Sequence, residues 1–179
     1  MDTVKVYDKE FKLVISYFDI VKAIKKIADQ LNHDFTDNDC PVFVSVLNGS
    51  FMFAGDLLKE LDFQSVIHFV KLSSYKGENT SGKVKEIIGL DENIYKRNVI
   101  ILEDILDTGI TIEYVYNKLL KHKPKSLKIA TLFLKKEAYK AKLSIDYIGM
   151  DVPNKFLIGY GLDYNGIGRN YKNIYELVE

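Results

Sequence analysis

The sequence predicts an α/β fold: a mainly parallel twisted sheet flanked by helices. Three observations carry the prediction. Apolar runs of strand type alternate with helical patterns from Val42 to Val152, and alternation of this kind implies crossover connections and parallel pairing. Val99–Leu102 is four consecutive aliphatic residues, the pattern of a strand buried on both faces. The 179 residues hold no internal repeat, low-complexity tract or Pro/Gly/Ser linker, so one domain is expected over 1–179.

The elements follow in order. Ser16 followed by Asp19 resembles a capping box, and Ile20, Val21, Ile24, Ile27, Ala28 and Leu31 then recur at helical spacing. Thr36 to Asp39 is a polar turn, and Val42 to Leu47 reads as a buried strand. Asn48-Gly49-Ser50 breaks that strand, and Phe51 to Leu61 reads as a helix. Ser65 to Leu72 is a further strand, Ser73 to Lys85 a long polar loop, and Glu86 to Leu90 a short returning strand. After the strand Val99–Leu102, Glu103 to Thr111 reads as a turn and a helix runs to about His122, closed by Pro124. Leu127 to Leu134 and Tyr147 to Val152 complete the strands, and the less regular tail from Pro153 is expected to form a small cap.

Composition narrows the function classes. Lys plus Arg and Asp plus Glu number 25 each, so net charge gives no reason to expect nucleic acid or an anionic membrane as partner. The lysines between Lys118 and Lys142 read as a solvated helix face and loop. Cys40 is the only cysteine, which rules out an internal disulfide. The sequence has neither an apolar leader nor a run long enough to span a bilayer, so a soluble, cytoplasmic protein is expected.

The chemistry concentrates in Val99-Ile-Ile-Leu-Glu-Asp-Ile-Leu-Asp-Thr-Gly-Ile-Thr111. A buried strand delivers adjacent carboxylates, Glu103 and Asp104, to the sheet edge where ligands of open α/β sheets bind. Asp107, Thr108, Gly109, Ile110 and Thr111 then open a helix, whose outward N–H groups and nearby hydroxyls suit a phosphate monoester. Carboxylates repel phosphate and accept hydrogen bonds from vicinal hydroxyls, so the pair of features suggests a sugar phosphate. Taken singly, Glu-Asp reads as solvated loop charge and Asp-Thr-Gly as a turn with an N-cap; all of them in one run do not. No Walker A pattern occurs, which leaves P-loop hydrolysis unsupported.

This run resembles the phosphoribosyl pyrophosphate (PRPP) motif of type I phosphoribosyltransferases. The chain from about Val42 to Val178 is similar to the hypoxanthine-guanine phosphoribosyltransferases among them. The resemblance implies the type I fold, with a core over about 40–152 and a hood formed by about 153–179 with the N-terminal segment. It implies purine salvage: transfer of the 5-phosphoribosyl group from PRPP to a 6-oxopurine, giving IMP or GMP plus pyrophosphate, with Mg²⁺ and in a homodimer or homotetramer. Glu103 and Asp104 match the residues that hold the ribose hydroxyls and metal, and Thr108–Thr111 the loop around the 5′-phosphate. Asp107 matches a candidate general base near N7 of the purine. Lys135 matches the donor to its O6, and Lys136 is the neighbouring alternative. Pro153–Asn165 resembles the purine hood: Phe156 matches the stacking ring, Leu157 the backbone contact to the base, and Asp163 an aspartate near base and Mg²⁺. Without the resemblance, Lys135 reads as an exposed strand-end lysine, Phe156 and Leu157 as core, and Asp163 as a turn residue. Arg169 matches a pyrophosphate arginine, and Asn48, Gly49 and Ser50 the pyrophosphate loop, where Asn48 stands at a position commonly occupied by Lys. The Ser73–Lys85 loop, with Ser74 and Tyr75 at its start, resembles a mobile lid. Two other readings stay open: a type I enzyme for adenine or a pyrimidine, and a regulatory protein of the same fold that senses PRPP or a nucleotide.

Overall fold

A computed structural model describes residues 2–74, 84–89 and 93–178, with backbone alone at 73, 74 and 84–88. The chain opens with a hairpin of strands β1 (Thr3–Val6) and β2 (Lys9–Ile15), where no strand is predicted. The signal is present: Phe11, Leu13 and Ile15 alternate with Glu10 and Lys12, the period of a strand with one buried face. Helix α1 (Tyr17–Asp34) follows, and the Ser16 hydroxyl caps it by accepting from the Asp19 N–H at 3.2 Å. Ile20, Ile24, Ile27, Ala28 and Leu31 are buried along it, with Ala23 in place of the expected Val21, which is half exposed.

The parallel sheet comes next: β3 (Val42–Leu47), α2 (Phe51–Lys59), β4 (Val66–Ser74), β5 (Val84–Ile88), β6 (Asn98–Leu106), α3 (Ile110–Leu120), β7 (Ser126–Leu134) and β8 (Tyr147–Asp151). Its order is β5-β4-β3-β6-β7-β8, parallel throughout except for β5, which lies antiparallel on β4 at the edge. The fold class is as predicted. Two boundaries differ. β6 continues to Leu106 rather than stopping at Leu102, because its pairing with β7 persists through Leu106 with Leu134. The returning strand is Val84–Ile88 rather than Glu86–Leu90.

The core lies on both faces of this sheet. On one face Phe43, Ile100, Leu102 and Leu132 pack against Ile20, Ile27 and Leu31 of α1 and Phe53 and Leu57 of α2. On the other, Val42, Val44, Ile101 and Ile129 meet Ile112, Val115 and Leu119 of α3. Burying each such side chain contributes about 1.5–3 kcal/mol before entropy is subtracted. The tail is more regular than expected. Strands β9 (Leu157–Ile158) and β10 (Ile174–Leu177) join the first hairpin in a four-stranded antiparallel sheet of order β1-β2-β10-β9. This hood has its own small core of Val6, Phe11, Ile158 and Tyr175.

At the end of the sheet opposite the loops described below, Asp34 closes α1 against β7 and β8. Its carboxylate accepts from Lys128 Nζ at 2.8 Å and from the Tyr147 hydroxyl at 2.6 Å. These two bonds, Lys128 first, lower its pKa to about 2. A carboxylate held below its ordinary value stabilises the fold above the unfolded pKa of about 4, and the contribution is lost as pH falls toward the folded value. Asp34→Asn is therefore expected to lower Tm at pH 7 by about 2–4 °C. Thermal melts at pH 7, 4 and 2 should show this gap narrowing steadily with acidity.

Candidate active site

Chain direction across the sheet reverses between β3 and β6: β3 leads to β4 on one side, and β6 to β7 on the other. The crevice outside the C-terminal ends of such strands is where α/β sheets bind ligands. The loops after both strands meet there.

The loop after β3 runs Leu47–Ser50, and its Leu47–Asn48 peptide is cis. Asn48 is exposed, whereas Ser50 is fully buried. The Ser50 hydroxyl donates to the Val46 carbonyl at 2.5 Å and shares a hydrogen bond with Ser45 Oγ at 2.7 Å. A buried hydroxyl must find partners, and these turn it inward. The expectation that Ser50 meets pyrophosphate is thus narrowed to its backbone. Gly49 is pressed against β6: a Cβ there would sit 1.6 Å from Asp104 Oδ2.

Asp104 is itself buried and lines the cleft. Successive side chains of a strand point to opposite faces, so Glu103 is turned away. It is absent from the cleft lining, and its Oε2 is buried with no hydrogen-bond partner among the described residues. Adjacency in sequence therefore does not bring the two carboxylates to one surface, as the sequence reading expects. Burial pushes both carboxyls above the usual carboxylate range, and in Glu103 the neighbouring Asp104 adds to it.

Beyond β6, Asp107, Thr108 and Gly109 turn into α3. Gly109 has φ of +88°, and a Cβ on it would meet Ala141 Cβ at 2.6 Å. The Lys140 N–H donates to the Thr108 carbonyl at 3.1 Å, clamping this turn from behind. Thr108, Ile110 and Thr111 are exposed. Gly109 at the N-cap of α3 has no side chain to cap the first turn, whose N–H groups face outward as helix geometry requires.

The walls carry two ion pairs. Lys135, nearly buried at the end of β7, donates from Nζ to Asp107 Oδ2 at 2.7 Å. Lys136 is exposed and does not line the cleft, whereas Lys135 does. In the hood, Arg169 Nη2 lies 2.5 Å from Asp163 Oδ1, and Arg169 Nη1 donates to the Gly161 carbonyl at 2.5 Å. Phe156 is 45% exposed and also faces the cleft, its ring set edge-on to Tyr164 with centroids 5.8 Å apart. Leu157 is buried beside it. Ile105 and Leu162 complete a cleft of about 250 Å³, and neither is foreseen from the sequence. Strict alternation from Asp104 would skip Ile105, so no local period signals its place in the cleft. Tyr75 lies outside the described residues, as does most of the Ser73–Lys85 loop, and of Ser74 only the backbone is described.

The structure thus brings Gly49, Asp104, Asp107, Lys135, Phe156, Leu157, Asp163 and Arg169 to one cleft. Thr108–Thr111 adjoin it at the start of α3. Among the described residues no three His, Cys, Asp or Glu side chains form a group able to hold a metal ion alone. Nor is any described helix long and apolar enough to cross a membrane.

Comparison with known proteins gives a consistent answer. Residues 16–165 match the phosphoribosyl transferase domain. The chain is 38% identical over 168 residues to a hypoxanthine-guanine phosphoribosyltransferase of Aquifex aeolicus, covering 93% of this chain and 94% of the other. A protein of the same name from Streptococcus pyogenes is 40% identical over 164 residues, with 91% and 89% covered. A crystal structure of a hypoxanthine-guanine phosphoribosyltransferase from Bacillus anthracis superposes with a TM-score of 0.87 at 37% identity, covering 93% of this chain and 98% of that one. The hypoxanthine phosphoribosyl transferase of Trypanosoma cruzi gives 0.88 at 33% identity, with 98% and 95% covered. The switch-point cleft, the Asp-Thr-Gly turn into α3 and these matches together make the chain a member of the phosphoribosyl transferase family, in its hypoxanthine-guanine phosphoribosyltransferase group.

Proposed function

We propose that the cleft transfers the 5-phosphoribosyl group of PRPP to a 6-oxopurine, hypoxanthine or guanine, as a step of purine salvage. The observation that carries the reading is the Lys135–Asp107 pair at 2.7 Å, which shares one cleft with the half-exposed ring of Phe156. A cation and a carboxylate side by side support contacts to an oxo group and a ring N–H of one flat base. An ammonium discriminates for the oxo group and against the amino group of adenine, since it can only donate. Phe156 offers its ring to the base; stacking of this kind is worth about 1–3 kcal/mol per base in other base-binding proteins.

In the reaction, the bond between the anomeric carbon and the pyrophosphate oxygen breaks, its electron pair leaving on pyrophosphate. A purine ring nitrogen bonds to that carbon, and the proton of the imidazole ring passes to Asp107. Lys135 turns from Asp107 to O6 and holds the charge that builds there. Asp104 meets the ribose hydroxyls, with Glu103 behind it, and the N–H groups at Thr108–Thr111 take the 5′-phosphate. Arg169 and the backbone of Asn48–Ser50 take the pyrophosphate. The donor set suits Mg²⁺ carried in by the substrate: hard carboxylate oxygens of Asp104 and Asp163, too few for a closed cage, fit an ion that keeps water and phosphate ligands. When bound, that ion neutralises charge on the departing pyrophosphate. A cytoplasmic location and a homo-oligomer complete the proposal.

Purified protein with PRPP and Mg²⁺ is expected to convert hypoxanthine and guanine to nucleotides and to leave adenine and orotate unreacted. Product from adenine at a comparable rate would reject the assigned role of Lys135. Asp107→Asn should lower kcat by about 10²–10⁴-fold, the range of a lost general base, with KM for PRPP little changed; unaltered turnover would remove Asp107 from proton transfer. Gly49→Ala places a methyl group on Asp104, and calorimetric titration should show PRPP affinity falling by at least about tenfold. Unchanged PRPP affinity in this variant would exclude the Gly49–Asp104 contact from the binding surface.

A further inference from the structure

The hood turn Gly159-Tyr160-Gly161 is held in an unusual way. All three residues adopt positive φ, +103°, +46° and +97°, a region that an aromatic residue seldom enters. Both glycines are locked by backbone: a Cβ on Gly159 would come within 2.0 Å of the Asn173 carbonyl oxygen, and one on Gly161 within 2.0 Å of that of Gly49. Tyr160 between them is wholly buried, yet lines no part of the cleft. Its hydroxyl donates to Asp56 in the middle of α2, and its ring packs near that of Tyr17 with centroids 6.3 Å apart. Asp56 also accepts from Lys59 Nζ at 2.6 Å. Burial, and then the Asp56 carboxylate, push the phenol well above its ordinary pKa and keep it a donor.

Helix α2 starts directly from the loop at Asn48–Ser50, and its Ala54 N–H donates to the Ser50 carbonyl at 2.8 Å. The Gly161 carbonyl in turn receives Arg169. A rod of contacts therefore runs from Asp56 through Tyr160 and Gly161 to both groups assigned to pyrophosphate. The base side of the hood is fixed separately: β9 pairs with β10, and the Leu177 N–H donates to the Phe156 carbonyl at 3.0 Å.

We infer that Tyr160 and Asp56 are positioning residues that set Arg169 and the Asn48–Ser50 loop for pyrophosphate, while leaving the purine subsite to the β9–β10 pairing. The inference rests on the reading of the cleft given above. Residues held in sparsely populated backbone conformations cluster at ligand clamps, and small misplacements of such groups are costly to binding and rate.

The test compares the whole protein with Tyr160→Phe, Asp56→Ala and Asp56→Asn. Tyr160→Phe keeps the buried ring, and Asp56→Asn keeps an acceptor oxygen for the phenol. Tyr160→Phe and Asp56→Ala are expected to raise KM for PRPP, and for pyrophosphate in the reverse reaction, by about tenfold, with KM for hypoxanthine within about twofold. Asp56→Asn should restore near wild-type constants, since the acceptor and not its charge is what Tyr160 requires. A lowered Tm with both KM values unchanged, or with both raised in parallel, overturns the inference and leaves a purely structural bond. Calorimetric titration of PRPP with Mg²⁺ separates failure of the inference from failure of the reading. Wild type that forms no product yet binds PRPP more weakly on Tyr160→Phe would reject the transferase reading alone. Wild type that binds no PRPP rejects both.

Discussion

Space for backbone, rather than any single strong bond, organises this molecule at the C-terminal edge of its parallel sheet. Three chain segments converge there with no room for side chains between them. Gly49 lies on Asp104 of β6, Gly161 on the Gly49 carbonyl, and Gly109 against Tyr139 and Ala141. Each closeness needs a missing Cβ, and two of the three also need positive φ. The result is a crevice whose walls come from residues far apart in sequence, with main chain brought close at Gly49 and Gly161. Main-chain N–H groups offered at short range are what an anionic ligand requires.

The charged groups in the crevice are arranged in mutual satisfaction. Lys135 holds Asp107, and Arg169 holds Asp163. Buried or half-buried charges are costly without partners, so a cleft that must present cations and carboxylates to a substrate satisfies them internally in its absence. Under the proposed reading each pair would split between a cation for an anion or oxo oxygen and a carboxylate for a donor, so binding would exchange partners instead of stripping charges bare. Among the described residues no ion pair is formed by Asp104, and burial drives its carboxyl toward neutrality.

Much of the fold was legible because its strands are long, aliphatic and separated by clear helical periods. β3, β6, β7, α1 and α2 lie close to where periodicity puts them. The hood as a region was implied by the resemblance, but its strand pairing was illegible for a physical reason: β9 has two residues, and β10 pairs with β2 from the opposite end of the chain. No local period reports a pairing of that kind. The hairpin at Thr3–Ile15 did carry an alternating pattern and was legible in principle. In the site, the run from Glu103 to Thr111 announced itself by residue type. Its geometry was less accessible: Asp104 faces the cleft and Glu103 does not, which adjacency in sequence cannot report, and the inward turn of the Ser50 hydroxyl follows from its bond to Ser45. Family resemblance supplied Lys135, Phe156, Asp163 and Arg169, none of which stands out by composition.

The hood sheet has a consequence for how the protein comes into being. Its central pair joins Ile15 of β2 to Ile174 of β10, so the two strands are separated by nearly the whole chain. During synthesis the parallel sheet, with Asp104, Asp107 and Lys135, can assemble while the first hairpin still waits for its partner. Contacts of such long separation close late and slowly. A nascent chain in which the sheet has formed and β10 has not yet paired would have a one-sided cleft, its Phe156 wall absent and the apolar faces of Phe11 and Ile158 uncovered.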